Sequence, residues 1–431
     1  MDKWYRLDNA AKIFPVTRNS RWTNNFRVSV TLRENVDPVL LQEALHRTMP
    51  RFPNFSMTMK RGVFWYYLEP REGAPRVIPD VANPMKRFRK RNSNKFLFRV
   101  RYFNRRIALE IFHVLADGNS AMLFLKTLTA QYLTLKGHSI SCGEGVLDVT
   151  ETPADEEMED AYQRYAKFHV TPARKEQRAY RPQGEELPPG DMHIITGLAD
   201  MDQMQAKAKE YGVSVTELLC AVLIYCFDKR QNNEIERLYG SGGRKPRRRP
   251  VKICVPVNLR AFYPTKTFRN FVLYINPGID PAYGTFTFEE ILKQVHYYMR
   301  LHNTEKNMNA MMSTNLSSEK NPMLKAMPLF LKNIGMMAAY RMYGESRTTC
   351  TLSNIGKMTV PPEMAPLIER FDFVLNRQQF NRHAVGCVSY GGIVSVTFTS
   401  KIKDCDVERD FFSFLVKLGI HVKIESNLSR R

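Results

Sequence analysis

A strand that ends in a histidine and turns at once into a helix constrains this chain more than any other feature. Residues 107–118 read Ile-Ala-Leu-Glu-Ile-Phe-His-Val-Leu-Ala-Asp-Gly. Leu97 to Tyr102 and Ile107 to Phe112 flank Asn104-Arg105-Arg106 and read as a hairpin. A helix is predicted from about Ser120 to Leu135, ending at Gly137. His113 thus stands where a strand stops and the chain must turn sharply. Gly118 would take a backbone dihedral that a residue with a Cβ resists.

Similar alternations run along the rest of the chain. Phe26 to Leu32 reads as a strand, followed by a helix capped by Asp37 with Pro38 in its first position. Phe55 to Met59 and Val63 to Leu68 suggest a second hairpin around Lys60-Arg61-Gly62. Acidic residues and prolines between His138 and Asp191 mark a connection, with one helix near Glu156 to Phe168. Further on, strands are expected at His193 to Leu198, Val251 to Val257, Asn270 to Ile275, Thr349 to Ser353, Phe371 to Leu375, Ala384 to Ser389 and Ile393 to Ser400. Helices are expected at Asp202 to Tyr211, Val215 to Asp228, Phe288 to His302 and Val407 to Leu418. One or two more should cover Met323 to Tyr343, broken near Pro328 or Gly335. With 431 residues, this is a mixed α/β (α+β) chain too long for one simple core. We expect two lobes, each a mixed sheet with flanking helices: residues 1–170, a linker at 171–191, and residues 192–431.

The formal net charge is +21, which favours anionic partners such as nucleic acid, anionic lipid or a phosphorylated cofactor. A basic nucleic-acid-binding protein is therefore an alternative reading. No helix–turn–helix, RNA-recognition signature or basic-aromatic alternation supports it, and no nucleic-acid partner is expected. Seven cysteines at irregular spacing, with no C-x-x-C pair, argue against a disulfide framework and a zinc site. No apolar run reaches the roughly 18 residues of a membrane span. A cytoplasmic monomer without a metal is expected, with peripheral membrane contact left open.

Two further segments join the histidine. Val255-Pro256-Val257-Asn258-Leu259-Arg260 ends a strand in Asn-Leu-Arg, and the Asn270-Phe271 pair of Arg269-Asn270-Phe271 follows ten residues after Arg260. Thr351-Leu352-Ser353-Asn354-Ile355-Gly356-Lys357 runs from a strand into a small polar turn. Together the three segments resemble the chloramphenicol-acetyltransferase-like superfamily of CoA-dependent acyltransferases and condensation domains. The first is similar to its H-x-x-x-D-G motif, the second to its N/D-L-R … R-N-F element. The third is similar to the Ser-Asn turn of the wax-ester synthase and bacterial alcohol acetyltransferase branch. Two departures stand out: Phe112 occupies the place of the first of two histidines in many members, and the D-F-G-W-G element of the plant enzymes is absent around Asn381 to Gly386.

The resemblance implies an acyltransferase with its active-site channel between the lobes, moving an acetyl or short acyl group from acyl-CoA to a small-molecule or lipid alcohol or amine. His113 would be the general base, and no acyl-enzyme would form. Asp117 would be structural, paired bidentately with Arg260 to lock the histidine turn. An imidazole titrates near neutrality, which suits the task. The oxyanion needs a donor, for which Ser353 or Asn354 is the candidate. Arg244, Lys245, Arg247, Arg248 and Arg249 are candidates for the coenzyme A phosphates. A second basic run, Lys86-Arg87-Phe88-Arg89-Lys90-Arg91, reads as a solvated loop. The methionines between Met308 and Met342 read as core, with an acyl channel as the other use. Alternatives within the same fold are a catalytically inactive protein or a condensation-like one that needs a carrier protein.

Overall fold

The computed structural model describes residues 4–19, 22–88, 96–167, 177–240 and 246–427. Two sheets dominate. The first has five strands in the order Ile368–Leu375, Asn25–Leu32, Arg106–Phe112, Phe98–Phe103 and Ile78–Pro79. Phe26, Val28 and Val30 alternate along one strand, and Ile107, Leu109 and Ile111 along the next. All enter a core closed by the helices Pro38–Thr48 and Gly118–Leu135. The opposite face of this sheet is buried too, and there the alternation puts ions. Arg27 bonds Asp80, and fully buried Glu110 lies 2.6 Å from Arg99 and 2.8 Å from Arg101.

The second sheet follows the order Val272–Ile275, Val251–Asn258, Cys350–Lys357, His383–Tyr390, Ile393–Ser400, His193–Asp200 and Val422–Ser426. Its core lies beneath the helices Val215–Tyr239, Phe288–His302 and Asp406–Lys417. Gly391 and Gly392, both at positive φ, make the tight turn between its two central antiparallel strands.

The lobes are not cut cleanly in sequence. Ile368–Leu375, which the sequence places in the second lobe, pairs with Asn25–Leu32 and completes the first sheet. It also packs against the second sheet. Its Asp372 accepts a hydrogen bond from Ser395 (2.8 Å) in the second sheet. Its Phe373 carbonyl passes so close to Gly386 that a Cβ there would lie 2.3 Å away.

Several elements differ from expectation. The helix at 156–168 is a 3-10 turn, Asp155–Met158, and a single helical turn, Ala161–Tyr165. The helix starting at Val215 continues to Tyr239 through polar residues that need no core partner on their outer side. Glu305–Lys320 is a helix that its polar composition conceals, and it buries Met308, Met311 and Met312. The next helical stretch agrees with the first of the two expected breaks: it is interrupted at Met327-Pro328 and runs unbroken through Gly335. Its methionines include exposed ones, Met323 and Met342, so the core reading fits only the earlier group. The early hairpin pairs Met57–Arg61 with Tyr66–Pro70, leaving Val63, Phe64 and Trp65 at the exposed tip. No single helix among the described residues is long and apolar enough to cross a membrane.

Candidate active site

The histidine strand stops at Phe112, and His113 is the first residue beyond it. Its amide donates to the Asn24 carbonyl (3.0 Å), continuing the ladder for one residue and fixing the backbone. Phe14 stacks on the imidazole at 4.5 Å between ring centres, and Phe26 meets it edge-on at 4.9 Å. The ring remains partly exposed despite this crowding. The crowding still removes water from it, and that desolvation lowers its pKa below 6.5. The opposing pulls of its own carbonyl, Asp117 and Asn270 are weaker.

Asn270 decides which nitrogen carries the proton. Its Nδ2 donates to the His113 carbonyl (3.0 Å) and to Asp8 Oδ2 (3.1 Å). Both are obligate acceptors when Asp8 is ionised, so the amide is oriented with Oδ1 towards the ring, 2.9 Å from Nδ1. Nδ1 therefore holds the hydrogen, and Nε2 presents its lone pair. Nε2 makes no hydrogen bond among the described residues. Asp8 is completely buried. Burial raises its pKa, while the charge of Arg269, the Ala11 amide and Asn270 act against the rise.

Asp117 points away from the imidazole and organises the turn. As N-cap of the helix Gly118–Leu135 its Oδ1 accepts from the Ser120 amide (3.1 Å). Its Oδ2 accepts from Arg260 Nη1 (2.7 Å) and the Phe271 amide (3.1 Å). Burial works against the carboxylate, but Arg260 and these donors hold its pKa below 3.8. The contact to Arg260 is single, not the bidentate one expected. The other guanidinium nitrogen of Arg260 is used on the Thr267 and Arg269 carbonyls, both at 2.8 Å, and on Ser120 Oγ. The arginine thus folds the loop that carries Asn270 back onto the histidine turn.

Gly118 also differs from expectation: its φ is not positive, and it begins the helix in ordinary geometry. Its role is close approach, because a Cβ would stand 3.2 Å from Ile355 Cδ1. This contact brings the strand Cys350–Lys357 of the second sheet against the Asp117 turn. Alternation separates the two oxyanion candidates on that strand. Leu352 belongs to the second-lobe core, whereas Ile355 packs on the first. Ser353 shares the Ile355 face, and its hydroxyl has no partner among the described residues. Asn354 does not lie in a free turn. Its Nδ2 donates to Thr216 Oγ1 (3.0 Å), and its Oδ1 accepts from the amide of Gly356, which sits at φ +91°.

The basic cluster divides. Arg244 and Lys245 lie outside the described residues, as do Arg89, Lys90 and Arg91 of the other run. Arg248 is bonded to Asp228 (2.5 Å) on the helix Val215–Tyr239, so its charge is already matched; Arg247 and Arg249 are exposed. Phe112, at the place of the missing first histidine, is a core residue with the Arg18 guanidinium 4.5 Å above its ring. A cavity of about 440 Å³ lies on the ionic face of the first sheet, against Arg27, Asp80, Arg370 and Asp372, and its lining does not include His113. Among the described residues no group of three or more His, Cys, Asp or Glu side chains is placed to hold a metal.

Asn270 stands in the Arg-Asn-Phe element without a role that its sequence alone assigns, and nothing in the sequence marks Asp8 or Phe14. The signal for Asn270 was its fixed distance from Arg260. Asp8 and Phe14 lie in a short N-terminal stretch with no periodicity to mark them.

The two-lobed arrangement with the histidine turn at its seam is a fold shared with solved acyltransferases and condensation domains. Solved structures agree over nearly the whole chain. Polyketide synthase associated protein 5 from Mycobacterium tuberculosis matches with a TM-score of 0.61 at 13% identity, covering 96% of this chain and 97% of that one. The trichothecene 15-O-acetyltransferase from Fusarium sporotrichioides gives 0.60 at 11% identity, over 96% and 94%. The starter condensation domain of rhizomide synthetase, solved with C8-CoA and Leu-SNAC, gives 0.56 at 11% identity, over 96% and 94%. No family model matches the sequence, and no curated protein matches it.

Proposed function

We propose that the protein transfers an acyl group from an acyl thioester, acyl-CoA in the simplest case, to a hydroxyl or amine acceptor, with His113 as general base. The observation that carries this reading is the imidazole itself. It is partly exposed at the seam, its pKa is depressed, and its Nδ1 is tied to an amide whose orientation is fixed. In that state Nε2 takes the proton of the acceptor O–H or N–H as the acceptor atom attacks the thioester carbonyl. The tetrahedral intermediate then expels the thiolate, which recovers that proton from the imidazolium. No covalent enzyme intermediate is required in this reading, because the acceptor attacks the thioester directly when both are held in one site. Ser353 is the donor for the oxyanion, since Asn354 is already engaged. Asp117 and Arg260 position the turn and touch neither substrate. Arg247 and Arg249 are the exposed cations for a coenzyme phosphate. The acetyltransferase and the C8-CoA-bound condensation domain among the structural neighbours support this chemistry. Departure from the plant pattern favours the alcohol acetyltransferase and wax-ester branch.

Thiol release from acetyl-CoA and longer acyl-CoAs over a panel of alcohols and amines tests the reading. His113→Ala should lower turnover by about 10²–10⁴ while leaving the melting transition in place. Equal thiol release by wild type and variant would overturn it.

A further inference from the structure

One outer face of the molecule inverts the usual pattern. In the helix Leu329–Tyr343 the exposed positions include Phe330, Leu331, Ile334, Ala338 and Met342, a stripe at three- and four-residue spacing that faces outward. Two of its polar residues turn to the neighbouring hairpin instead: Lys332 Nζ donates to the Phe64 carbonyl (3.0 Å), and Asn333 bonds the Tyr66 hydroxyl (3.1 Å). These bonds, with Leu329 N–H to the Val63 carbonyl (2.8 Å), pin the helix to the tip of the Met57–Pro70 hairpin. That tip adds Phe64 and Trp65, 39% and 40% exposed, to Phe330 and Ile334 at 55% and 66%. Trp4 lies beside it, edge-on to Tyr67. Two of the three tryptophans of the chain therefore stand on one exposed apolar face.

The rim is cationic. Residues 321–344 and 57–68 contain no carboxylate, and their exposed cations are Lys325, Arg341, Lys60 and Arg61. Arg6 lies over the Trp65 ring at 4.8 Å. The adjacent carboxylates Glu69 and Glu319 are paired with Lys60 and Lys12. Apolar side chains with tryptophans, ringed by cations, fit the interface of an anionic bilayer. A protein partner of ordinary composition would not ask for a one-sign rim. We propose that this face docks the protein on anionic lipid membranes, with the helix Leu329–Tyr343 lying in the plane of the headgroups. The proposal stands apart from acyl transfer.

Sedimentation with phosphatidylcholine vesicles, with and without phosphatidylglycerol, tests it. Wild type should bind the anionic vesicles, release with rising salt and shift its tryptophan emission to the blue. Phe330→Ser with Ile334→Asp should weaken partitioning at least about tenfold. Lys325→Glu with Arg341→Glu should do likewise through charge. All four positions are exposed, so melting curves should match wild type, and thiol release to a soluble acceptor should not change. Failure of wild type to bind anionic vesicles would overturn the proposal, as would equal binding by both double variants. A wild-type dimer split by Ile334→Asp would assign the face to a second copy and overturn it equally.

Discussion

Asn270→Leu and Asn270→Asp test whether one amide sets the protonation state of His113. In the native arrangement Oδ1 accepts from Nδ1 at 2.9 Å, while Nδ2 serves the His113 carbonyl and Asp8. The leucine removes all three bonds. Two buried acceptors lose a donor, at about 1–3 kcal/mol each, so a clear drop in unfolding free energy is expected. The preference of the ring for hydrogen on Nδ1 falls by about one ordinary hydrogen bond, roughly 1 kcal/mol, or about fivefold to tenfold in tautomer ratio. The aspartate keeps the acceptor but sets a second carboxylate against buried Asp8. Like charges at that distance force one of the two to stay protonated. An ionised group at 270 would also raise the pKa of His113. Nitrogen-15 shifts of the imidazole, assigned by their loss in His113→Ala, report the tautomer without any substrate. Wild type should show hydrogen on Nδ1, the leucine variant a mixture, and the aspartate variant a titration moved to higher pH. Hydrogen on Nε2 in the wild type would refute the argument, as would a spectrum unchanged by leucine.

Other outcomes follow from the same contacts. Asp117→Ala strands Arg260 and removes a helix cap, so unfolding in urea should show a loss of about 3–5 kcal/mol; a loss under about 1 kcal/mol would contradict the lock. Ser353→Ala should cut turnover by about 10²–10³ at unchanged stability, whereas Asn354→Ala should act mainly on stability; the reverse pattern would move the oxyanion donor to Asn354. Asp160 is pushed up to about 7, chiefly by burial and then by the charge of Asp8. The folded state therefore binds its proton more tightly than the unfolded one. That contribution is complete below pH 3.8 and lost as pH rises through about 7. Asp160→Asn should melt above wild type at pH 8 and close to it at pH 4; a difference independent of pH would remove Asp160 as the source.

Local chemistry made much of this legible in the sequence. The Asp37 cap, the Gly391-Gly392 turn and the strand ending at His113 each depend on neighbours within a few residues. The link from Asp117 to Arg260 spans 143 positions and was reached through resemblance, not through pattern. Pairings of that range without a motif stayed hidden. Asp8 meets Asn270 across 262 residues, and Ile368–Leu375 crosses to the first sheet although its own alternation fits either. Arg248 looked free because its partner, Asp228, lies on a different element. The terminal strand Val422–Ser426 was missed because it is an edge strand, half exposed, with Lys423 and Glu425 interrupting the apolar alternation.

The placement of the site's parts carries a consequence for how it forms. The imidazole belongs to the first sheet, and the groups that orient it do not. Asn270, Arg260 and the Phe271 amide come from the second lobe, while Asp8 and Phe14 come from the N-terminal segment. Each half alone would leave Asp117 or Arg260 facing water, without the partner that fixes the histidine turn. Docking of the lobes and assembly of the base are therefore one event. A loosened seam should abolish the Nδ1 tautomer before it unfolds either sheet, so imidazole shifts should change earlier in a urea titration than far-ultraviolet ellipticity. Simultaneous transitions would mean that the two lobes melt as a single cooperative unit and that the base cannot be disassembled separately.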